Sequence, residues 1–206
     1  EADLIGFLEK FDLIQGVLAD YEAVRQIARE NVLDAKREQI DYIELRFSPY
    51  FMSQRFGLDI QRVVECICDE VNTTKASAGI EVKLIVIMCR NLGLDNCYRE
   101  LDAAIKFREQ GVIAIDLAGD EKNFPGSLFV DHFKKARDAG LRITVHAGEA
   151  DGAQSVKQAI EELGAERIGH GVRAMDDHKV VDLLVERRIP LEICPTSNVQ
   201  TSAVSS

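Results

Sequence analysis

From Leu4 to about Ala35 apolar residues recur at intervals of three and four, through Phe7, Leu8, Phe11, Ile14, Val17 and Leu18 and on to Val24 and Ala28. That period predicts one long amphipathic helix or two, with a break at Gly16. Tyr42 to Phe47 then reads as a strand closed by Ser48-Pro49. Asp59 to Ala78 returns to helical period and Gly79 offers a C-cap. Val82 to Met88 is almost wholly apolar, the pattern of a parallel strand covered on both faces. The alternation continues: helix Asn96 to Glu109, strand Val112 to Leu117, helix Leu128 to Ala139, strand Arg142 to His146 and helix Ala153 to Leu163. A short strand Arg167 to His170, a helix Asp177 to Arg187 and a last strand Pro190 to Cys194 complete it. Strands alternating with helices predict βαβ units and a parallel sheet.

The polar residues choose between an open sheet and a closed one. Every predicted strand ends on chemistry: Arg46 and Ser48, Cys89 and Arg90, Asp116 and Gly119, His146 and Glu149, His170, then Thr196 to Asn198. Open sheets gather ligands at one switch point, whereas barrels recruit nearly every strand end around one mouth. The expected fold is therefore α/β, a (β/α)8 TIM barrel with about six of its eight strands in this chain. No linker or low-complexity stretch divides it, so residues 1–206 read as one partial barrel domain. The chain starts at Glu1 with helical period already running and stops at Ser205-Ser206 just after a strand, which reads as an internal piece of a longer protein.

Composition narrows the classes. Hydrophobic residues make up 46% and charged residues 29%, enough to bury a core. The formal charge of −10, from 25 basic and 35 acidic side chains, argues against a nucleic-acid polymer as partner. No apolar run nears the ~18 residues of a membrane span. Five cysteines, an odd number with no C-x-x-C pair, fit reduced thiols and a cytoplasmic location.

Three segments stand out. In Thr144-Val145-His146-Ala147-Gly148-Glu149 a histidine tips a buried strand, and two small residues let the chain turn so that Glu149 returns over the same place. Imidazole suits zinc and a carboxylate suits proton transfer. Alone, His146 would read as an ordinary strand-end histidine; Glu149 three residues on and a second strand-end histidine favour function. That second histidine lies in Ile168-Gly169-His170-Gly171, whose glycines allow close backbone approach. Gly169 to Ala174 also matches the dinucleotide pattern G-x-G-x-x-G/A, but a histidine in its second place would obstruct a pyrophosphate, and that reading is set aside. In Asp116-Leu117-Ala118-Gly119-Asp120-Glu121, Gly119 could present a backbone N–H to a flat ligand, while Asp120 and Glu121 read as a solvated acidic loop. Cys66 and Cys68 face different ways on a helix and make no metal pair; His132 and His178 read as surface residues. Leu4, Phe7, Leu8 and Phe11 read as core packing, or as a lid across the mouth.

Taken together and in order, the three segments resemble the adenosine deaminase family, and Tyr42 to Pro49 and Cys194 to Asn198 fit it too. The resemblance covers essentially the whole chain. It implies a zinc-dependent barrel that hydrolyses adenosine and 2′-deoxyadenosine to inosine and ammonia, with one Zn2+ per complete protein. It implies that His146 is a zinc ligand and that Glu149 gives a proton to purine N1. His170 would orient the attacking water, deprotonating it being a second possible role. The Gly119 N–H would hold N3, and Leu4, Phe7, Leu8 and Phe11 would flank a small-molecule nucleoside. The resemblance also implies a His-x-His pair on the first strand and an Asp-Asp pair on the eighth; no histidine precedes His132 and the sequence ends before an eighth strand, so this chain alone is expected to be inactive. The alternatives are an adenine deaminase or related purine amidohydrolase, and a metal-free barrel that binds a nucleoside or a protein without catalysis.

Overall fold

A computed structural model of the protein describes residues 15–204. The expectations for Leu4, Phe7, Leu8 and Phe11 lie outside those residues. Six parallel strands pair in sequence order: β1 (Tyr42–Phe47), β2 (Glu81–Cys89), β3 (Val112–Ala118), β4 (Arg142–Ala147), β5 (Arg167–His170) and β6 (Leu191–Glu192). The long helices are α1 (Tyr21–Arg37), α3 (Ile60–Ala78), α4 (Leu94–Lys106), α5 (Val130–Asp138), α6 (Ala153–Glu161) and α7 (His178–Arg187). Two six-residue helices, α2 (Pro49–Gln54) and α8 (Pro195–Gln200), follow β1 and β6 directly.

Local chemistry explains where the pattern and the structure differ. Helix α1 starts at Tyr21 because Asp20 caps it, accepting from the Ala23 N–H at 2.8 Å; Gly16 sits in a separate 3-10 turn. The last strand is only Leu191–Glu192, because the chain leaves the sheet there and Pro195 opens α8. Neither short helix is long enough to show a period of 3.6 in sequence. His132 is no surface residue: it is 2% exposed, its Nε2 lies 3.0 Å from the Leu94 carbonyl oxygen, and its ring stacks on Tyr98. Packing of α5 against α4 buried a side chain that hydropathy counts as polar.

The sheet is strongly curled. Laid flat, five strand spacings would hold β1 and β6 about 24 Å apart. Instead Arg46 on β1 reaches Glu192 on β6 through two hydrogen bonds, of 2.8 and 2.7 Å. Arg167 on β5 pairs with Glu44 on β1 and lies 3.2 Å from Glu192. The α/β architecture is therefore a partial barrel. Its convex face carries the apolar core, with Val86, Met88, Leu117 and Val145 packed under the helices. Its concave face carries charge.

A second polar tie underlies the β1–α2 turn. Glu100 on α4 is fully buried, accepts from Ser48 Oγ at 2.5 Å and from the Tyr50 N–H at 3.1 Å, and leaves Oε2 without a partner. Burial pushes its carboxyl up to about 7. Among the described residues no helix is long and apolar enough to cross a membrane.

Two outcomes follow from these ties. Because folded Glu100 keeps its proton to about pH 7 while an unfolded glutamate loses it near pH 4.5, its contribution to stability falls as pH rises through that window. Glu100→Gln should remove that fall, on the order of 1 kcal/mol per pH unit, in urea melts compared with the parent between pH 5 and 7. Arg46→Met, which leaves buried Asp116 without its guanidinium and half-buried Glu192 with Arg167 alone, should cost about 3 kcal/mol in the same melts; a loss within error would show that the curl does not depend on this pair.

Candidate active site

The C-terminal ends of β3, β4 and β5 and the start of α8 meet at one mouth. β4 and β5 pair with His146 opposite Gly169 and Ala147 opposite His170. A Cβ on Gly169 would lie 3.0 Å from the His146 ring, tighter than an ordinary contact, so the glycine leaves room for that imidazole. The two imidazoles are 5.2 Å apart, centroid to centroid, tilted by 59°. His170 Nε2 lies 3.4 Å from Glu149 Oε2. The structure thus brings His146, Glu149 and His170 together. Gly119 stands half-buried on the rim after β3 with φ +98°, a backbone that L side chains avoid, and its missing Cβ would sit 2.4 Å from Asn91 Oδ1.

His170 itself adopts φ +62°, a left-handed conformation that costs a non-glycine residue on the order of 1–2 kcal/mol. The neighbouring Gly171 N–H bonds to the Ala147 carbonyl at 3.0 Å and fixes the turn. Burial holds the His170 imidazole below its ordinary pKa, against the opposite pull of Glu149.

Arg90 and Asp116 were legible in the sequence only as polar strand ends without a role, and Thr201 carried no signal there. Asp116 is fully buried and accepts from His146 Nδ1 at 3.0 Å and from Arg46 Nη1 at 2.9 Å. Burial alone would raise its carboxyl, but His146 and Arg46 hold it below the usual carboxylate range. The His146 ring is raised above its ordinary value: burial opposes its charge, and Asp116 prevails. Arg90, 1% exposed, ties the two loops, donating to the carbonyls of His146 and Phe124 at 2.8 Å each. Thr201 Oγ1 lies 3.2 Å from Glu149 Oε1 and 3.0 Å from the Ser197 carbonyl, and its single proton can serve only one of them.

Glu121 corrects the expectation of a solvated acidic loop. It is 3% exposed and gathers the backbone N–H groups of Gly148 (2.6 Å), Glu149 (3.1 Å), Ala150 (2.8 Å) and Asp151 (3.2 Å), with the Ser155 hydroxyl as a fifth donor. The loop that aims Glu149 is therefore wound around a buried carboxylate. The nearest clue in the sequence was two acidic residues just after a strand, a pattern shared by many exposed turns.

Zinc was tested against the donors present. A zinc site takes about three protein ligands. Among the described residues no group of three or more His, Cys, Asp or Glu is arranged to hold a metal ion. The described residues do not complete such a site by themselves. His146 can offer one ligand atom: with its Nδ1 turned to Asp116, Nε2 keeps the lone pair, the arrangement common behind metal-binding histidines.

The sequence model of the family described as adenosine deaminase matches residues 1–206, and the chain belongs to that family. An adenosine deaminase of Edwardsiella ictaluri is 56% identical over 204 residues, covering 99% of this chain and 61% of that protein. One of Serratia proteamaculans is 52% identical over 206 residues, covering 100% and 62%. Among solved structures, an adenine deaminase from Arthrobacter aurescens superposes with a TM-score of 0.86 at 28% identity, covering 100% of this chain and 62% of that one. An Arabidopsis N6-mAMP deaminase gives 0.87 at 29%, with the same coverage. The chain thus spans about 61–62% of the length of these relatives.

Glu121→Gln places an NH2 where backbone donors converge. It should cost about 2–3 kcal/mol in denaturant melts and speed amide exchange at residues 148–151. Unchanged exchange at Glu149 and Ala150 would show that the loop holds its shape without this carboxylate.

Proposed function

We propose that this chain forms the larger part of the catalytic barrel of an adenosine deaminase, which hydrolyses adenosine and 2′-deoxyadenosine to inosine and ammonia. The observation that carries the reading is the convergence of Glu149, His146 and His170 on one mouth in a chain that belongs to this family. The substrate of the reading is a small nucleoside. Cytoplasmic residence belongs to the same proposal, resting on five cysteines that are all free thiols.

In the reaction a water oxygen bonds to purine C6, the bond from C6 to the exocyclic nitrogen breaks, and that nitrogen takes one proton of the water and leaves as ammonia, while the other water proton replaces the one given to N1. Glu149 is assigned the proton that goes to N1, which draws electrons from C6 and opens it to attack. Its carboxyl is 9% exposed, so few water molecules compete for that proton. His170 orients the attacking water, the Gly119 N–H holds N3, and Leu4, Phe7, Leu8 and Phe11 flank the base. His146 is assigned as one ligand of a Zn2+ completed elsewhere in the whole protein. When bound, zinc lowers the pKa of its water to about 7, so hydroxide is at hand in neutral solution.

The second reading, an adenine or N6-methyl-AMP type of deaminase, is favoured by the solved neighbours, whose TM-scores are 0.86 and 0.87. A panel of adenosine, 2′-deoxyadenosine, adenine and N6-methyl-AMP separates the two by kcat/KM.

In the complete protein Glu149→Gln should lower kcat by a factor of about 10²–10⁴ while nucleoside affinity changes little. Near-normal turnover in an ultraviolet assay of purine deamination would overturn the assignment of Glu149. About one zinc per molecule in the active preparation is expected, and full activity without metal would remove the role given to His146.

A further inference from the structure

We propose that Asn198 is a positioning residue that fixes the tautomer of His170, so that the neutral ring carries its proton on Nε2 and faces the mouth as a hydrogen-bond donor. The polarity of the surrounding bonds leaves one solution. A backbone N–H can only donate, and the Cys194 N–H points at Asn198 Oδ1 from 3.2 Å. That contact identifies the carbonyl end of the amide, so the other end is the NH2 group, which also can only donate. It lies 2.8 Å from His170 Nδ1. Nδ1 must therefore present its lone pair, and a neutral imidazole with a bare Nδ1 has its proton on Nε2.

The site is dry enough for this logic to hold. Asn198 is 1% exposed and His170 is 8% exposed, so water cannot readily replace either partner. The backbone that carries this side chain is held as well, since the Asn198 main-chain N–H donates to the Cys194 carbonyl at 2.8 Å in the first turn of α8. His146 is set the other way: its Nδ1 faces the Asp116 carboxylate, which can only accept, so Nδ1 carries a proton. Two rings 5.2 Å apart are thus wired with opposite states at Nδ1.

The consequence divides labour at the mouth. A neutral His170 can hold an oxygen through Nε2–H but has no lone pair there with which to take a proton from it. Of the two roles the family resemblance allows this ring, orientation is the one that its wiring supports. This consequence, unlike the tautomer itself, rests on the deaminase reading.

The test is a long-range 1H–15N correlation spectrum of the histidine rings in the complete protein near pH 7, with the His170 pattern identified by its loss in His170→Gln. Expected is an Nε2–H pattern for His170 and an Nδ1–H pattern for His146. Asn198→Asp, which exchanges the donor for an acceptor of the same shape, should leave His170 Nδ1 protonated and His146 unaltered. A protonated Nδ1 in the unaltered protein, or an unchanged His170 pattern in Asn198→Asp, overturns the proposal. Should Asn198→Asp fail to fold, the spectrum of the parent decides alone. In turnover, Asn198→Asp should lose about a hundredfold or more in kcat with KM within roughly threefold; an altered tautomer with undiminished kcat overturns the positioning role. A parent protein with the expected spectrum and no deaminase activity refutes the deaminase reading and leaves the tautomer standing.

Discussion

The contact on which the rest of the structure depends is the guanidinium of Arg46 inside the curl. One arm binds Asp116 on β3 and the other binds Glu192 on β6. An apolar interior could have been filled by layers of branched side chains, as in many barrels. Here charge does the joining, and charge is directional: the strands must curl far enough to bring β1 within reach of β6. Buried ion pairs are weak evidence for stability, because desolvation offsets the attraction. They do fix geometry, since a misplaced partner would leave a charge in a poorly solvated interior.

From that contact the order passes outward by hydrogen bonds of fixed polarity. His146 and Arg46 together hold the Asp116 carboxyl below the usual carboxylate range, and Asp116 in turn fixes a proton on His146 Nδ1. Arg90 fastens the backbone of the same histidine, and Glu121 winds the following loop so that Glu149 turns back to the mouth. Asp116, Arg90 and Glu121 are buried charges whose partners are named and few, and Arg46 beside them is half-buried. The left-handed backbone of His170 is tolerated because the Gly171 N–H and the Asn198 amide both hold the ring and turn in place. Precision at the site therefore comes from supports on β1, β3 and α8 that touch no substrate in the proposed reaction.

Much of this was legible in the sequence. The six strands could be read because apolar runs such as Val82 to Met88 are long and bounded by turns, and because polar residues crowd one end of each. Those same strand ends announced His146, Glu149 and His170. What stayed hidden was mostly pairing across distance. Nothing near Arg46 in the sequence says that its partners are 70 and 146 residues away. Glu121 looked like one more acid in a turn, because burial is a property of what packs over it. His132 failed for the same reason. Asn198 was seen as a polar strand end, but its meaning depends on the Cys194 N–H behind it, and hydrogen-bond polarity has no sequence pattern.

The balance of charge in the curl bears on what His146 is for. Two guanidiniums, Arg46 and Arg167, face three carboxylates, Glu44, Asp116 and Glu192. With every group ionised the interior is one positive charge short, and His146 touches the most deeply buried of the acids. The upward shift of its pKa is that deficit expressed on a ring whose burial alone would push it the other way. A proton and a metal cation compete for the same imidazole lone pair. The field that favours one also favours the other, so the interior is electrostatically suited to a cation at Nε2 of His146. Arg46 repels a positive charge on this ring, but Asp116 outweighs it, so a positive ion there would offset the carboxylates of the curl rather than add to its guanidiniums.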